Sequence, residues 1–192
     1  MQIMFDAGCV PALYQLQGKS FPFPDLTSAL CPNCRAGTLE KHGFYKRYLI
    51  EPCFEGEIII RRFCCHSCYR TVSLLPSFCH PKRSYSLLAV FGVLFEFYTK
   101  TNAVCLAIKG FMSASGVRVS RQLLLHYRRR IEKNIDGLIA AAFAIHPLRP
   151  PPAAKASAKE KVRQFLLSTH PLDDSLELFE RTRATYLTPY AL

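Results

Sequence analysis

The chain has no tryptophan, few acidic residues (14 Asp and Glu against 25 Lys and Arg) and no long apolar run. Its most hydrophobic stretch, residues 87–97, falls well short of the ~20 apolar residues that cross a bilayer. An anionic membrane surface is also a poor partner, because no long basic amphipathic segment with a Trp, Phe and Leu face is present. The first residues, Met1-Gln2-Ile3-Met4-Phe5-Asp6, lack the basic start and apolar core of a secretion signal, so a cytoplasmic, nucleoid-associated protein is expected. No catalytic triad, carboxylate pair or phosphate-cradling loop stands out, which argues against an enzyme.

What is present is a chain of 192 residues, 49% apolar and 12% aromatic, enough for a modest core and too much for a disordered chain. The formal charge is +11, and nearly all of the excess falls between residues 31 and 149. That balance favours a polyanionic partner, nucleic acid first.

Composition divides the chain. Residues 1–30 mix apolar side chains with Pro11, Pro22 and Pro24, which forbid a continuous helix and suggest an irregular lead. Residues 31–83 hold β-branched and aromatic runs at 38–42, 44–50 and 56–63, punctuated by Gly43 and Gly56, and predict a small antiparallel sheet. Residues 84–146 turn helical: Ser84 can cap a helix over 85–99, Thr101 or Asn102 a second to about Met112, and Ser120 a third. Proline density at 147–154 marks a semi-rigid linker. Residues 155–192 read as a helical tail, with helices over 156–167 and 173–186 that order on another protein. The expected class is therefore α+β.

Nine cysteines in a reducing compartment point to metal rather than disulfides. Cys31-Pro32-Asn33-Cys34 and Cys65-His66-Ser67-Cys68 are two close pairs flanking a strand-rich insert, the spacing of a four-thiolate zinc ribbon. Each pair sits on a tight turn that aims two sulfurs at one ion, and a closed tetrahedral site of this kind is structural Zn2+, not catalytic. Cys64 competes with Cys65 as the third ligand, although Cys65 fits the two-residue knuckle better. Cys53, Cys79 and Cys105 read as small buried hydrophobes. His42, His66 and His80 read as exposed loop or strand residues. A ribbon this small depends on its metal to fold.

The third helix has a readable face. Leu124, Tyr127, Ile131, Ile135 and Leu138 fall on one apolar stripe, which turns Gln122, His126, Arg129, Arg130 and Lys133 to the opposite side, with Arg121 and Arg128 on the flank. As the second helix of a helix-turn-helix, it would set Arg121, Gln122 and His126 against base edges in the major groove of double-stranded DNA. Arg128, Arg129, Arg130 and Lys133 would lie along the phosphates. On the sheet, Lys46, Arg47, Arg61, Arg62 and Arg70 interleave with Tyr45, Tyr48, Phe63 and Tyr69, a mixture suited to phosphate and base contact. An RNA-binding or RNP-associated adaptor is the alternative.

These residues resemble a known family. Cys31-Pro32-Asn33-Cys34, the turn His42-Gly43-Phe44-Tyr45-Lys46-Arg47, residues 58–63, Cys65-His66-Ser67-Cys68-Tyr69-Arg70-Thr71 and Leu74-Leu75-Pro76 look like the N-terminal zinc ribbon of insertion-sequence transposases and of a related bacterial zinc-ribbon family. Val119-Ser120-Arg121-Gln122-Leu123, onward to Arg130, looks like the helix-turn-helix that follows it. In transposases these modules recognise element ends and pass them to a ribonuclease-H-like domain with three metal-binding carboxylates. After Arg149 only Glu160, Asp173, Asp174, Glu177 and Glu180 are acidic, too compact a set for that site. The resemblance thus implies DNA recognition without strand transfer, in an accessory or regulator of mobile DNA. The tail would dock a separate transposition or recombination protein.

Overall fold

A computed structural model describes residues 1–80, 83–145 and 155–169. They form a mixed α+β structure with a four-stranded sheet and five α-helices, divided into two compact units. The first unit takes residues Met1–Ile50 and Phe54–Tyr85; the second takes Glu51–Cys53 and the described residues from Ser86 on. The linker at 147–154 and the helix expected over 173–186 lie outside the described residues. No described helix is long and apolar enough to cross a membrane.

In the first unit, strands β1 (Gln2–Phe5), β2 (Leu39–Glu51), β3 (Phe54–Cys65) and β4 (Thr71–Pro76) are ordered β1-β4-β3-β2. Gly43 does not end a strand, as its type suggested. It takes φ +97°, which only glycine adopts freely, and β2 runs on through it. Pro52 and Cys53 make a two-residue turn into β3, with Cys53 in the left-handed region at φ +66°. Lys46 then meets Glu57 at 2.8 Å and Tyr48 meets Glu55 at 2.7 Å, the stepping of an antiparallel hairpin. β3 and β4 pair antiparallel from Arg61↔Leu74 to Cys64↔Thr71, so the chain between them forms the second cysteine turn.

Residues 1–30 are not the irregular lead that their prolines suggested. β1 pairs in parallel with β4, from Gln2↔Ser73 to Phe5↔Pro76. Helix α1 (Pro11–Gln17) follows, with Pro11 at its start, where the missing N–H is no loss. Tyr14 is buried and donates its hydroxyl to the Ile59 carbonyl at 2.8 Å, while Gln15 reaches the Glu57 carbonyl at the same distance. Phe5, Tyr14, Phe21 and Phe78 stack around this point, with Tyr14 and Phe21 centroids 4.6 Å apart. Proline thus limited helix length without preventing a packed aromatic layer.

The second unit is helical. α2 (Leu87–Phe95) is capped by Ser86, not Ser84: the Ser86 hydroxyl accepts the Ala89 N–H at 3.0 Å. Its Leu87, Ala89, Val90, Phe91, Val93 and Leu94 are all buried. A π-helical segment, Glu96–Thr101, ends on Asn102 in the left-handed region. α3 (Val104–Ser115) begins without a side-chain cap and ends on Gly116 at φ +73°. Gly92 lets α2 and α3 approach, since a Cβ there would sit 2.5 Å from the Phe111 ring.

Ser120 caps α4 (Arg121–Ile145), accepting the Leu123 N–H at 3.1 Å, and the whole stripe Leu124, Tyr127, Ile131, Ile135 and Leu138 is buried. α5 (Ala158–Thr169) is no free tail. It buries Val162, Phe165 and Leu166 and pairs Lys161 with Asp136 of α4 at 2.8 Å.

Candidate metal centre and basic helix face

Strand pairing explains why two turns 30 residues apart in sequence meet. Cys65 is the last residue of β3, and Leu39, the first of β2, lies at the same end of the antiparallel hairpin. A bridge between Leu30 and Thr38 folds the first turn back onto that end, and the His66 N–H donates to the Thr38 carbonyl at 3.2 Å. Cys31, Cys34, Cys65 and Cys68 consequently place their four sulfurs within 4.8 Å of one another.

The cage has the dimensions of a metal site. Cys31 Sγ lies 3.7 Å from Cys68 Sγ and Cys34 Sγ lies 3.7 Å from Cys65 Sγ, on two opposite edges. A tetrahedron with metal–sulfur bonds of about 2.3 Å has edges of about 3.8 Å. Disulfide bonding, at about 2.05 Å, is far shorter. Cys65, not Cys64, therefore takes the third place in the cage; Cys64 only approaches the Cys65 carbonyl, at 3.9 Å.

The two turns repeat each other. The Arg35 N–H closes the first on the Cys31 carbonyl at 2.8 Å, and the Tyr69 N–H closes the second on the Cys65 carbonyl at 3.0 Å. Each sulfur also meets the amide two residues onward. Asn33 N–H points at Cys31 at 3.4 Å and Ser67 N–H at Cys65 at 3.3 Å. Ala36 and Arg70 amides play the same part for Cys34 and Cys68.

These donors favour thiolate. The Ala36 and Gly37 amides bring the Cys34 thiol down to about 6, and the Arg70 amide lowers Cys68. At Cys65 the Cys68 amide acts in the same sense, but burial and the protons shared with the Cys68 and Cys31 sulfurs outweigh it and push the thiol up to about 11. Four like charges cannot crowd together without a cation, which the cage is shaped to hold.

Gly37 was not singled out from the sequence. A Cβ there would fall 2.4 Å from Ser67 Oγ and 2.7 Å from Cys65 Sγ. We expect Gly37→Ala to force the turns apart and lower metal affinity by at least the roughly 10–100-fold typical of disturbed ligand supports. Competition against a chromophoric chelator measures this, and unchanged affinity would show that the turns yield freely.

The remaining cysteines and histidines divide differently from expectation. Cys79 is buried, but Cys53 and Cys105 are exposed, one on a turn tip and one on the outer side of α3. His80 is fully buried, whereas His42 and His66 are exposed and His66 faces Glu40 at 3.4 Å.

On α4, Arg121, Gln122, His126, Arg129 and Lys133 are exposed and Arg130 half-buried. Arg121, Gln122, Arg129 and Lys133 carry no side-chain partner among the described residues. Arg128 is held in place: it pairs with Glu132 at 3.5 Å and lies over the Phe97 ring at 5.4 Å. Several sheet cations are also engaged. Lys46 pairs with Glu57, Arg47 donates to the His80 and Arg83 carbonyls, Arg61 stacks 4.5 Å from the Phe44 centroid, and Arg62 lies over Tyr45. Arg70 is exposed.

Fold and site thus define an α+β protein whose four clustered cysteines can hold a metal ion. Residues 31–105 match the family model described as a domain of unknown function, DUF6431. The match begins at the first cysteine of the cage, spans both turns, and stops at Cys105, before α4. No curated protein and no solved structure matches the chain.

Proposed function

We propose that the chain is a zinc-dependent DNA-binding protein, a transposase-like recognition module that acts as an accessory or regulator of mobile DNA. The four-sulfur cage is the observation that carries the zinc assignment, because its edges and amide donors suit a tetrahedral dication with no open position. In this role the ion fastens the sheet and takes no part in chemistry.

The unpartnered cations of α4 support DNA as the ligand. α3 and α4 act as the helix-turn-helix, with Arg121 and Gln122 as bidentate readers of guanine and adenine and Arg129 and Lys133 on phosphates. Their connection, residues 116–120, is longer than the three- to four-residue turn usual for the motif. The exposed basic face, more than the turn, therefore supports the role.

Selection from a random duplex pool with zinc-loaded protein tests it; recovery of no preferred sequence would overturn site recognition. Arg121→Ala or Gln122→Ala should change preference at one position by about 1–3 kcal/mol. Arg129→Ala and Lys133→Ala should weaken all duplexes alike and each reduce the salt slope by about one. Equal losses for all four variants on every duplex would refute the division of roles.

A further inference from the structure

The cage presents more than a metal. Arg35 and Tyr69 occupy equivalent places, each directly after the second cysteine of its turn, and both are left-handed, at φ +57° and +56°. That conformation suits glycine and is disfavoured for arginine and tyrosine, so each position keeps a large side chain where a smaller residue would fold more easily. Backbone strain retained on a surface turn points to a function for the side chain.

Tyr69 is 81% exposed, and its ring makes no contact with another ring or cation among the described residues. Arg35 and Arg70 are exposed and likewise unpartnered. In the same unit, Glu40 faces His66 and Asp25 pairs with Lys41. The turns themselves are cross-linked: Asn33 Nδ2 reaches Cys68 Sγ at 3.6 Å, and the Cys34 and Cys68 sulfurs share one cage. An exposed aromatic ring and two guanidinium groups without a partner among the described residues are thus carried on two turns that one cage holds together.

We propose that these turns bind single-stranded nucleotides, with an unpaired base stacked on Tyr69 and the adjoining phosphates held by Arg35 and Arg70. Stacking on an exposed aromatic is indifferent to base identity, because every base has a π-face, and guanidinium groups beside it neutralise the backbone. This inference rests on the nucleic-acid role proposed above but uses a different surface from α4. Its ligand class is also different: unpaired bases, from DNA or RNA, instead of paired edges.

The test uses zinc-loaded full chain and three probes: a blunt duplex, and single-stranded DNA and RNA oligonucleotides each carrying one 2-aminopurine. Single strands should bind, and the 2-aminopurine emission should be quenched on binding. Tyr69→Phe should keep both. Tyr69→Gly relieves the strained backbone, so it should retain zinc and thermal stability while losing quenching and about tenfold or more in single-strand affinity. Arg35→Gly should keep the fold for the same reason and lower single-strand affinity in a salt-dependent way. Duplex binding should be unchanged in all three variants. Comparison of the DNA and RNA arms assigns the sugar. Duplex binding without single-strand binding, or equal quenching by wild type and Tyr69→Gly, overturns this inference and leaves the α4 role standing. Single-strand binding without duplex binding does the reverse, and binding to neither overturns both.

Discussion

Removal of metal by a chelator is expected to unfold the sheet unit while the helical unit keeps most of its ellipticity. Cys31 and Cys65 are fully buried, and the cage joins the chain before β2 to the turn between β3 and β4. Without a cation, four sulfurs in van der Waals range must share protons and repel as they ionise, and the turns lose their common anchor. Structural zinc contributes about 10–16 kcal/mol in small zinc-finger peptides, as much as the whole net stability of a typical domain, roughly 5–15 kcal/mol. Cys31→Ser or Cys65→Ser should therefore abolish metal binding and collapse amide dispersion for residues 39–76, whereas Cys64→Ser should change neither. The helical unit has its own buried groups, among them Leu94, Tyr98, Leu124, Ile131 and Phe165. Zinc stoichiometry and amide spectra before and after chelation measure both halves, and a metal-free chain with undiminished sheet signals would refute a structural ion.

Truncation inside α4 should be the next most damaging change, and it separates the helix's two faces. Leu124 and Ile131 are fully buried on the stripe that α4 turns to its neighbours. Either residue replaced by alanine loses apolar transfer energy and leaves a cavity, at a cost of about 2–5 kcal/mol. The double substitution Arg129→Ala with Lys133→Ala, on the exposed side, should stay within about 0.5 kcal/mol of wild type per residue. Denaturant melts at constant zinc would show this. A helical unit indifferent to Leu124→Ala would mean that α4 does not depend on the stripe.

Much of this was legible in advance where local pattern decides. Two C-x-x-C turns around a β-rich insert announced the cage, because sulfur chemistry and turn spacing are properties of neighbouring residues. The α4 stripe was equally readable from its 3.6-residue period, and Ser120 marked the helix start by its hydroxyl. The same logic chose Ser84 for the first helix, yet Ser86 caps it, because the path of the chain and not the hydroxyl alone sets the helix start.

Other features depended on partners far away in the chain. β1 has no neighbour in sequence to pair with and forms because β4, itself paired with β3, supplies hydrogen bonds across 71 positions, as in Gln2↔Ser73. The aromatic layer of residues 1–30 was hidden behind prolines, whose effect is local, while the burial that orders Tyr14 comes from the sheet. α5 carries too little apolar surface to stand alone and is ordered by α4. Arg128 lay on the flank of the helical wheel with Arg121, yet Glu132, one turn along α4, and the Phe97 ring, on another element, hold it in place. The amino-acid order by itself thus determined the four clustered cysteines, the basic face of α4 and the Ser120 cap, each within reach of a single turn. Tertiary structure decided which cations remain available and which weak segments become strands, because burial and cross-chain hydrogen bonding are set by residues that only the fold brings together.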